Sequence, residues 1–421
     1  MEDRVIRLKN GLRVALVKCE AESVAVGMIV QAGSRDEKKH EAGVSHFIEH
    51  MLFKGTAKRS AIEISRAIEG RGGSFNACTS EEITAYYIHL PFEYLGEALD
   101  ILSDMYTSAL MAEDELERER CVILQELDMY NDDPANVASE TLQAIIFPGH
   151  PLGRPVGGTI KSVNLITREM LMASKKSRYV PANTIIAIAG NFELDTAERL
   201  VGDYFGSIRN KKPAITCRNT PLPVKIGEKM EEKLYRQDIQ QAQIAMGFRM
   251  FGNQDERRFA ARILDTLLGT GMSSRLFVSI REKHALSYDI SSHIHFFSDS
   301  GMFSITAGVG KENLRKTIKL IDSELKRTID KKIPEKELKR IKELITGSMR
   351  LGEEKVTSKM FNAGLSLLIY DRLFTREERI ERLLAVSTED VMNVARDIFT
   401  EQNRELSLVI PSGEDRDEMP F

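Results

Sequence analysis

Apolar and polar residues change period several times along this chain, and the changes mark its elements. RVIRLKNGLRVALVK (4–18) reads as two strand-length runs joined at Lys9-Asn10-Gly11, an Asn-Gly turn. SVAVGMIVQAG (23–33) is a third strand, and ITAYYIHL (83–90), rich in β-branched and aromatic residues, a fourth. Helical spacing of apolar positions covers 41–54, 61–71, 93–110, 114–130 and 135–146.

The second half repeats this order. QAQIAMGFRM (241–250) matches the strand at 23–33 and is followed by helices at 255–268 and 274–283. ALSYDISSHIHFF and GMFSITAGV are strands, the helix at 311–329 parallels 93–110, and 335–349 parallels 114–127. RYVPANTIIAIAGNF (178–192) is echoed by ELSLVIPSG (405–413). Strands mixed with helices, without regular βαβ alternation, predict an α+β fold. We expect two structurally repeated domains, each a mainly antiparallel sheet with helices packed on one face. Their expected limits are 1–215 and 229–421, joined by a linker at 216–228 within a proline-bearing stretch, with a polar, mobile tail.

The 421 residues suit two domains, and 42% hydrophobic with 29% charged residues is a globular composition. A net charge of −4 gives no general attraction to nucleic acid. No apolar run is long enough to span a membrane, and the opening MEDRVIRLKN has neither a signal core nor transit-peptide character. Cys19, Cys78, Cys121 and Cys217 are scattered, as reduced thiols of a cytoplasmic protein would be.

Within this frame, VSHFIEHMLFKGT (44–56) places two of the chain's 8 histidines in an otherwise apolar helix. At about 100° per residue, His46 and His50 lie about 40° apart on one face, as two nitrogen ligands of one zinc ion would. Glu49 lies about 80° from their midpoint, on the flank opposite to that of the glutamate in H-E-x-x-H. It can therefore stand beside the metal's open position without being a ligand; H-x-x-E-H is a zinc-peptidase signature. At this composition the pattern would arise by chance only about 0.02 times, and buried without partners its polar groups would cost several kcal/mol.

A catalytic zinc needs a third protein ligand. The helix at 114–130 carries Leu116, Ile123, Leu127 and Tyr130 as an apolar stripe, with Glu119 and Glu126 on or beside it. Two carboxylates there call for a metal or a cation; on residues alone, pairing with Arg118 or Arg120 stays open.

His46-Phe47-Ile48-Glu49-His50, followed 76 residues later by Glu126, resembles the inverted-zincin peptidases of the insulinase and pitrilysin family, closest to a bacterial two-domain branch like the mitochondrial processing peptidase β-subunit. The resemblance extends to HMLFKGT (50–56), GGSFNACTSEEITAYY (72–87), ERERCVILQEL (117–127), GHPLGRPVGGT (149–159), RYVPANTIIAIAGNF (178–192) and LLGTGMSSRLFVSIREKHALSY (267–288). It implies a zinc metalloendopeptidase acting on extended or unfolded peptides within a chamber. His46, His50 and Glu126 would hold one zinc, Glu49 would be the general base, and Glu119 would steady a ligand. Arg281 and Tyr288 would contact the substrate backbone and the oxyanion. Asn76 and Ala77, with Gly73 before them, would lie on the strand to which substrate adds. The second half lacks the motif, reading RILDTLLGTG around Asp265. One two-domain chain would make half a chamber, so the resemblance implies a homodimer with Arg281 and Tyr288 facing the partner's zinc. The rival from another class is a non-catalytic core or scaffold subunit, which would be expected to lack one of His46, Glu49, His50 and Glu126.

Other features have plainer readings. His293 and His295 share a strand face and read as ordinary strand positions rather than a second metal site, and His89 reads as an ordinary strand position or a polar contact near the first site. GHPLGRPVGGT lacks the ending of a phosphate loop and reads as a structured turn. Cys121, about 140° around the helix from Glu126, points away from the metal. The basic stretches at 311–343 interleave with acids, as on a solvated face.

Overall fold

The computed structural model describes residues 2–210, 231–236 and 239–412. The expected linker at 216–228, Cys217 and most of the polar tail lie outside them. The strands are β1 (Glu2–Arg7), β2 (Arg13–Lys18), β3 (Ser23–Val30), β4 (Ser74–Thr79), β5 (Thr84–Pro91), β6 (Thr184–Gly190), β7 (Glu231–Arg236), β8 (Ala242–Met250), β9 (Ser287–Phe296), β10 (Gly301–Val309) and β11 (Arg404–Pro411). The helices of the first half are α1 (Val44–Leu52), α2 (Ala61–Glu69), α3 (Leu95–Ser108), α4 (Glu113–Asp132), α5 (Pro134–Ile146), α6 (Ile160–Leu165), α7 (Arg168–Arg178) and α8 (Leu194–Phe205). Those of the second are α9 (Arg258–Leu268), α10 (Leu314–Asp330), α11 (Glu335–Gly352), α12 (Val356–Tyr370), α13 (Arg376–Ala385) and α14 (Thr388–Ile398).

Two compact units result, and neither is a continuous half of the chain. Among the described residues the first comprises 2–128, 154–210 and 350–374; the second comprises 129–153, 231–236, 239–349 and 375–412. The first sheet has the order β1-β2-β6-β3-β5-β4, antiparallel throughout except for β2 with β6. The second has the order β7-β11-β8-β10-β9, with β7 and β11 parallel. Without β1, the first sheet repeats the second strand for strand. The repeated element order is therefore a repeated topology.

Each sheet is covered on both faces, where the sequence predicted helices on one. In the first unit Val14, Leu16, Val26, Met28 and Ile188 join the main core with Phe47 and Met51 of α1. The alternate residues Ala15, Ala25, Ala187 and Ala189 face Met360, Ala363 and Leu367 of α12. Small residues let that helix come close: a Cβ on Gly364 would lie 2.4 Å from Ile29 Cδ1, and one on Gly27 would overlap Met360. In the second unit α5 plays the same part, packing Leu142 and Ile146 toward Ala245 and Val409. Each half of the sequence thus lends one helix to the other half's sheet. Continuous apolar runs such as those of β3 and β6 are the mark of strands buried on both sides, but the covering helix lies more than 160 residues away in sequence.

Most predicted helices form within a few residues of their expected limits. The segment predicted as a helix at 274–283 contains a π-helical turn, Phe277–Glu282. The Asn-Gly turn closes the β1–β2 hairpin, with Gly11 at φ +87°, where a side chain would be strained. Among the described residues, no helix is long and apolar enough to cross a membrane.

Candidate active site

Helix α1 has two faces of opposite chemistry. Val44, Phe47, Ile48, Met51 and Leu52 are buried in the core, which turns His46, Glu49 and His50 outward toward α4 and β4. On α4, Leu116, Glu119, Ile123 and Leu127 form the buried stripe, and Glu126 sits beside it. His46 Nε2 and His50 Nε2 stand 3.6 and 3.5 Å from the same oxygen, Glu126 Oε2.

These separations bear on whether an ion fits. They are too long for good hydrogen bonds. Ligand atoms about 2.0–2.1 Å from a tetrahedral zinc are about 3.4 Å apart. One donor atom from each of the three residues lies within 4.8 Å of the others, and among the described residues no second group of three such side chains comes together. The donor set of two imidazoles and a carboxylate suits zinc. Burial, and then His50 beside it, push the His46 imidazole down to about 4, leaving it neutral and able to donate a lone pair. Its buried Nδ1 has no hydrogen-bond partner.

Around these three residues lies a supporting layer. Glu119, 5% exposed, puts Oε2 3.1 Å from His50 Nδ1 and Oε1 2.5 Å from Lys54 Nζ. An Nδ1–H directed at Glu119 leaves His50 Nε2 as the lone-pair nitrogen. Arg118 pairs instead with Asp114 and Glu115, and Arg120 with Glu117, so the cation left open by the sequence is Lys54. This lysine lies four residues after His50, a spacing that sequence reasoning passed over.

Glu49 Oε2 accepts a hydrogen bond of 2.5 Å from Thr79 Oγ1. Burial raises its pKa, and the Thr79 bond opposes the shift. Thr79 ends β4, the edge strand of the first sheet, so the carboxylate faces a strand whose other edge no described strand pairs with. Asn76 is exposed on β4, and its Oδ1 accepts from Ala77 N–H at 2.8 Å. At Gly73 the close approach is to β5: a Cβ there would lie 2.9 Å from His89 O.

Arg281 and Tyr288 belong to the second unit, where they touch each other. Arg281 Nη1 donates to Tyr288 O at 3.0 Å and its guanidinium lies 4.5 Å from the Tyr288 ring centre. Tyr288 is 78% exposed. His89 and His293 have ordinary strand partners, Ser23 and Ser291. Cys19, Cys78 and Cys121 are free thiols, Cys121 exposed. GHPLGRPVGGT forms a structured turn, with Gly157 against Leu127 and His46.

Comparison with known proteins shows the family of the chain. Residues 13–160 match the model described as Insulinase (Peptidase family M16), and 165–345 match the Peptidase M16 inactive domain. A Bacillus subtilis protein named Uncharacterized zinc protease YmxG is 36% identical over 407 residues, 96% of this chain and 97% of that protein. A Mycobacterium tuberculosis protein, also named as a zinc protease, is 35% identical over 93% of this chain and 90% of its own length. Among solved structures, a protease from Helicobacter pylori has the same fold, with TM-score 0.92 at 24% identity over 97% of this chain and 100% of that one. A peptidase M16 inactive domain from Pseudomonas fluorescens is similar at TM-score 0.89 and 19% identity, covering 98% of each chain. Matched in both halves by models of one family, and along more than nine-tenths of its length by proteins named as zinc proteases, this chain belongs to the insulinase family of peptidases, family M16.

Proposed function

We propose that this protein is a zinc-dependent metalloendopeptidase of the processing-peptidase-like branch, hydrolysing extended or unfolded peptides. The observation that carries this reading is the convergence of His46 Nε2 and His50 Nε2 on Glu126 Oε2, with Glu49 on the same helix facing an open strand edge. His46, His50 and Glu126 are the zinc ligands, and Glu119 and Lys54 orient His50. When bound, zinc supplies Lewis acidity, which acidifies water and polarises the scissile carbonyl.

Glu49 takes the proton of the attacking water and delivers it to the leaving amine nitrogen. Its raised pKa brings it nearer neutrality, as a base that must also act as an acid requires. An extended substrate adds to β4 along Asn76 and Ala77 through main-chain hydrogen bonds, which excludes folded proteins. Arg281 and Tyr288 serve the substrate backbone and the oxyanion of a second copy's site, so the working form is a homodimer.

The rival reading, a non-catalytic scaffold, draws on the relatives named as inactive domains. Against it stand His46, Glu49, His50 and Glu126, all retained in this chain. The deciding experiment is zinc analysis with a fluorogenic peptide assay on wild type and Glu49→Gln. One zinc per chain is expected in both proteins, with kcat lowered about 10²–10⁴-fold in the variant. A wild type without stoichiometric zinc, or a variant that cleaves normally, would refute the mechanism.

A further inference from the structure

Helix α1 begins without a capping side chain of its own. Its N-cap is Gly43, at φ +93°, which offers none. Two of the amides at this end, those of Gly43 and Ser45, are taken up by Glu37, an upstream residue with no place in the mechanism above. Glu37 Oε2 accepts from Gly43 N–H at 2.8 Å, and Oε1 accepts from Ser45 N–H at 2.7 Å. Glu37 is 1% exposed, so a carboxylate has been withdrawn from water to hold two backbone groups, a costly arrangement unless something depends on it.

The surroundings leave this contact no slack. Arg154 Nη1 donates to the carbonyl oxygen of Glu37 at 2.8 Å, and Arg178 Nη2 to that of Asp36 at 2.7 Å. A Cβ on Gly43 would lie 2.6 Å from Gly157 O, and one on Gly158 would lie 2.6 Å from Ala42 O. The chain entering α1 is therefore tied by two arginines and packed closely against the Gly157–Gly158 turn. His46 follows Ser45 directly, while Glu126 is on another helix. Any change in where α1 starts carries His46 and His50 together relative to Glu126. One residue of slip turns both by about 100°, and metal–ligand distances tolerate only about 0.2 Å.

We propose that Glu37 is a positioning residue of the metal centre: its carboxylate sets the start of α1 and thereby the spacing of His46 and His50 from Glu126. The proposal rests on the zinc reading above. Its test uses the full chain carrying Glu37→Gln, which keeps the shape but offers one acceptor in place of two, and Glu37→Ala. The readouts are zinc affinity by chelator competition, the visible spectrum of the cobalt-substituted protein, and kcat separately from KM. Affinity should fall about 10–100-fold in Glu37→Ala and less in Glu37→Gln. The cobalt bands should shift, and kcat should fall with KM nearly unchanged. If Glu37→Ala does not fold, Glu37→Gln decides. A folded Glu37→Gln variant with wild-type zinc affinity and cobalt spectrum would overturn the proposal alone. A wild type that binds no zinc would overturn the zinc reading, and this inference with it.

Discussion

Glu37 also makes the clearest prediction at the scale of a single residue. Burial raises its carboxyl from the usual 4.5 to about 7, against the pull of the Ser45 and Gly43 hydrogen bonds and of Arg178. The folded state therefore holds this proton more tightly than the unfolded chain does. The stability so contributed is complete below about 4.5 and is lost as pH rises through about 7. At about 1.4 kcal/mol per unit, the difference in unfolding free energy between wild type and Glu37→Gln should shrink by about 2 kcal/mol between pH 5 and pH 8. Urea unfolding of the zinc-free proteins checks this, and parallel pH curves would refute it. Legibility differed sharply among the site residues. His46, Glu49 and His50 announced themselves by helical spacing, because polar groups on an apolar helix need partners. Glu37 and Thr79 gave no such signal, since each acts through a contact set by the fold.

At the scale of elements, α1 and α4 were readable from their apolar stripes, and the β1–β2 hairpin from its Asn-Gly turn. The second covering layer of each sheet was not. Helix α12 is apolar enough to be buried, but nothing in its own sequence says which sheet it covers. Its docking depends on Gly364, whose missing side chain leaves room for Ile29 and Ala187. Gly364→Leu should therefore overpack the interface and cost about 1–3 kcal/mol. Because α12 lies on the sheet face opposite α1, zinc affinity of the folded variant should not change. Thermal unfolding with a parallel zinc titration checks both halves of this prediction. Unchanged stability would mean that α12 is not held against the sheet as described.

At the scale of the whole molecule, the repeat of element order was legible and proved to be a repeat of topology, with one helix exchanged in each direction. The expected domain limits followed the order of the chain, whereas two segments, 129–153 and 350–374, each belong to the compact unit of the other half. The proposed homodimer makes its own prediction. Glu49→Gln chains and Arg281→Ala chains, each inactive alone, should regain activity when mixed by denaturation and refolding. With random pairing in a two-fold dimer, the mixture should reach about one quarter of wild type. No recovery, with dimers present by light scattering, would place the two halves of the site within one subunit.

The amino-acid sequence by itself determined what depends on local periodicity and on residue chemistry. That covers the amphipathic helices, the two-histidine face with its flanking glutamate, the repeated order of strands and helices, and the candidacy of Glu126. Only the tertiary structure decided which carboxylate oxygen both imidazoles approach, which cation satisfies Glu119, what caps α1, and which helix covers each sheet. The physical reason is the range of the interactions. Helical and strand periods express forces between residues a few positions apart, whereas Glu126 lies 76 residues beyond His50 in the sequence. Contacts between distant segments exist only once the sheets have brought those segments together.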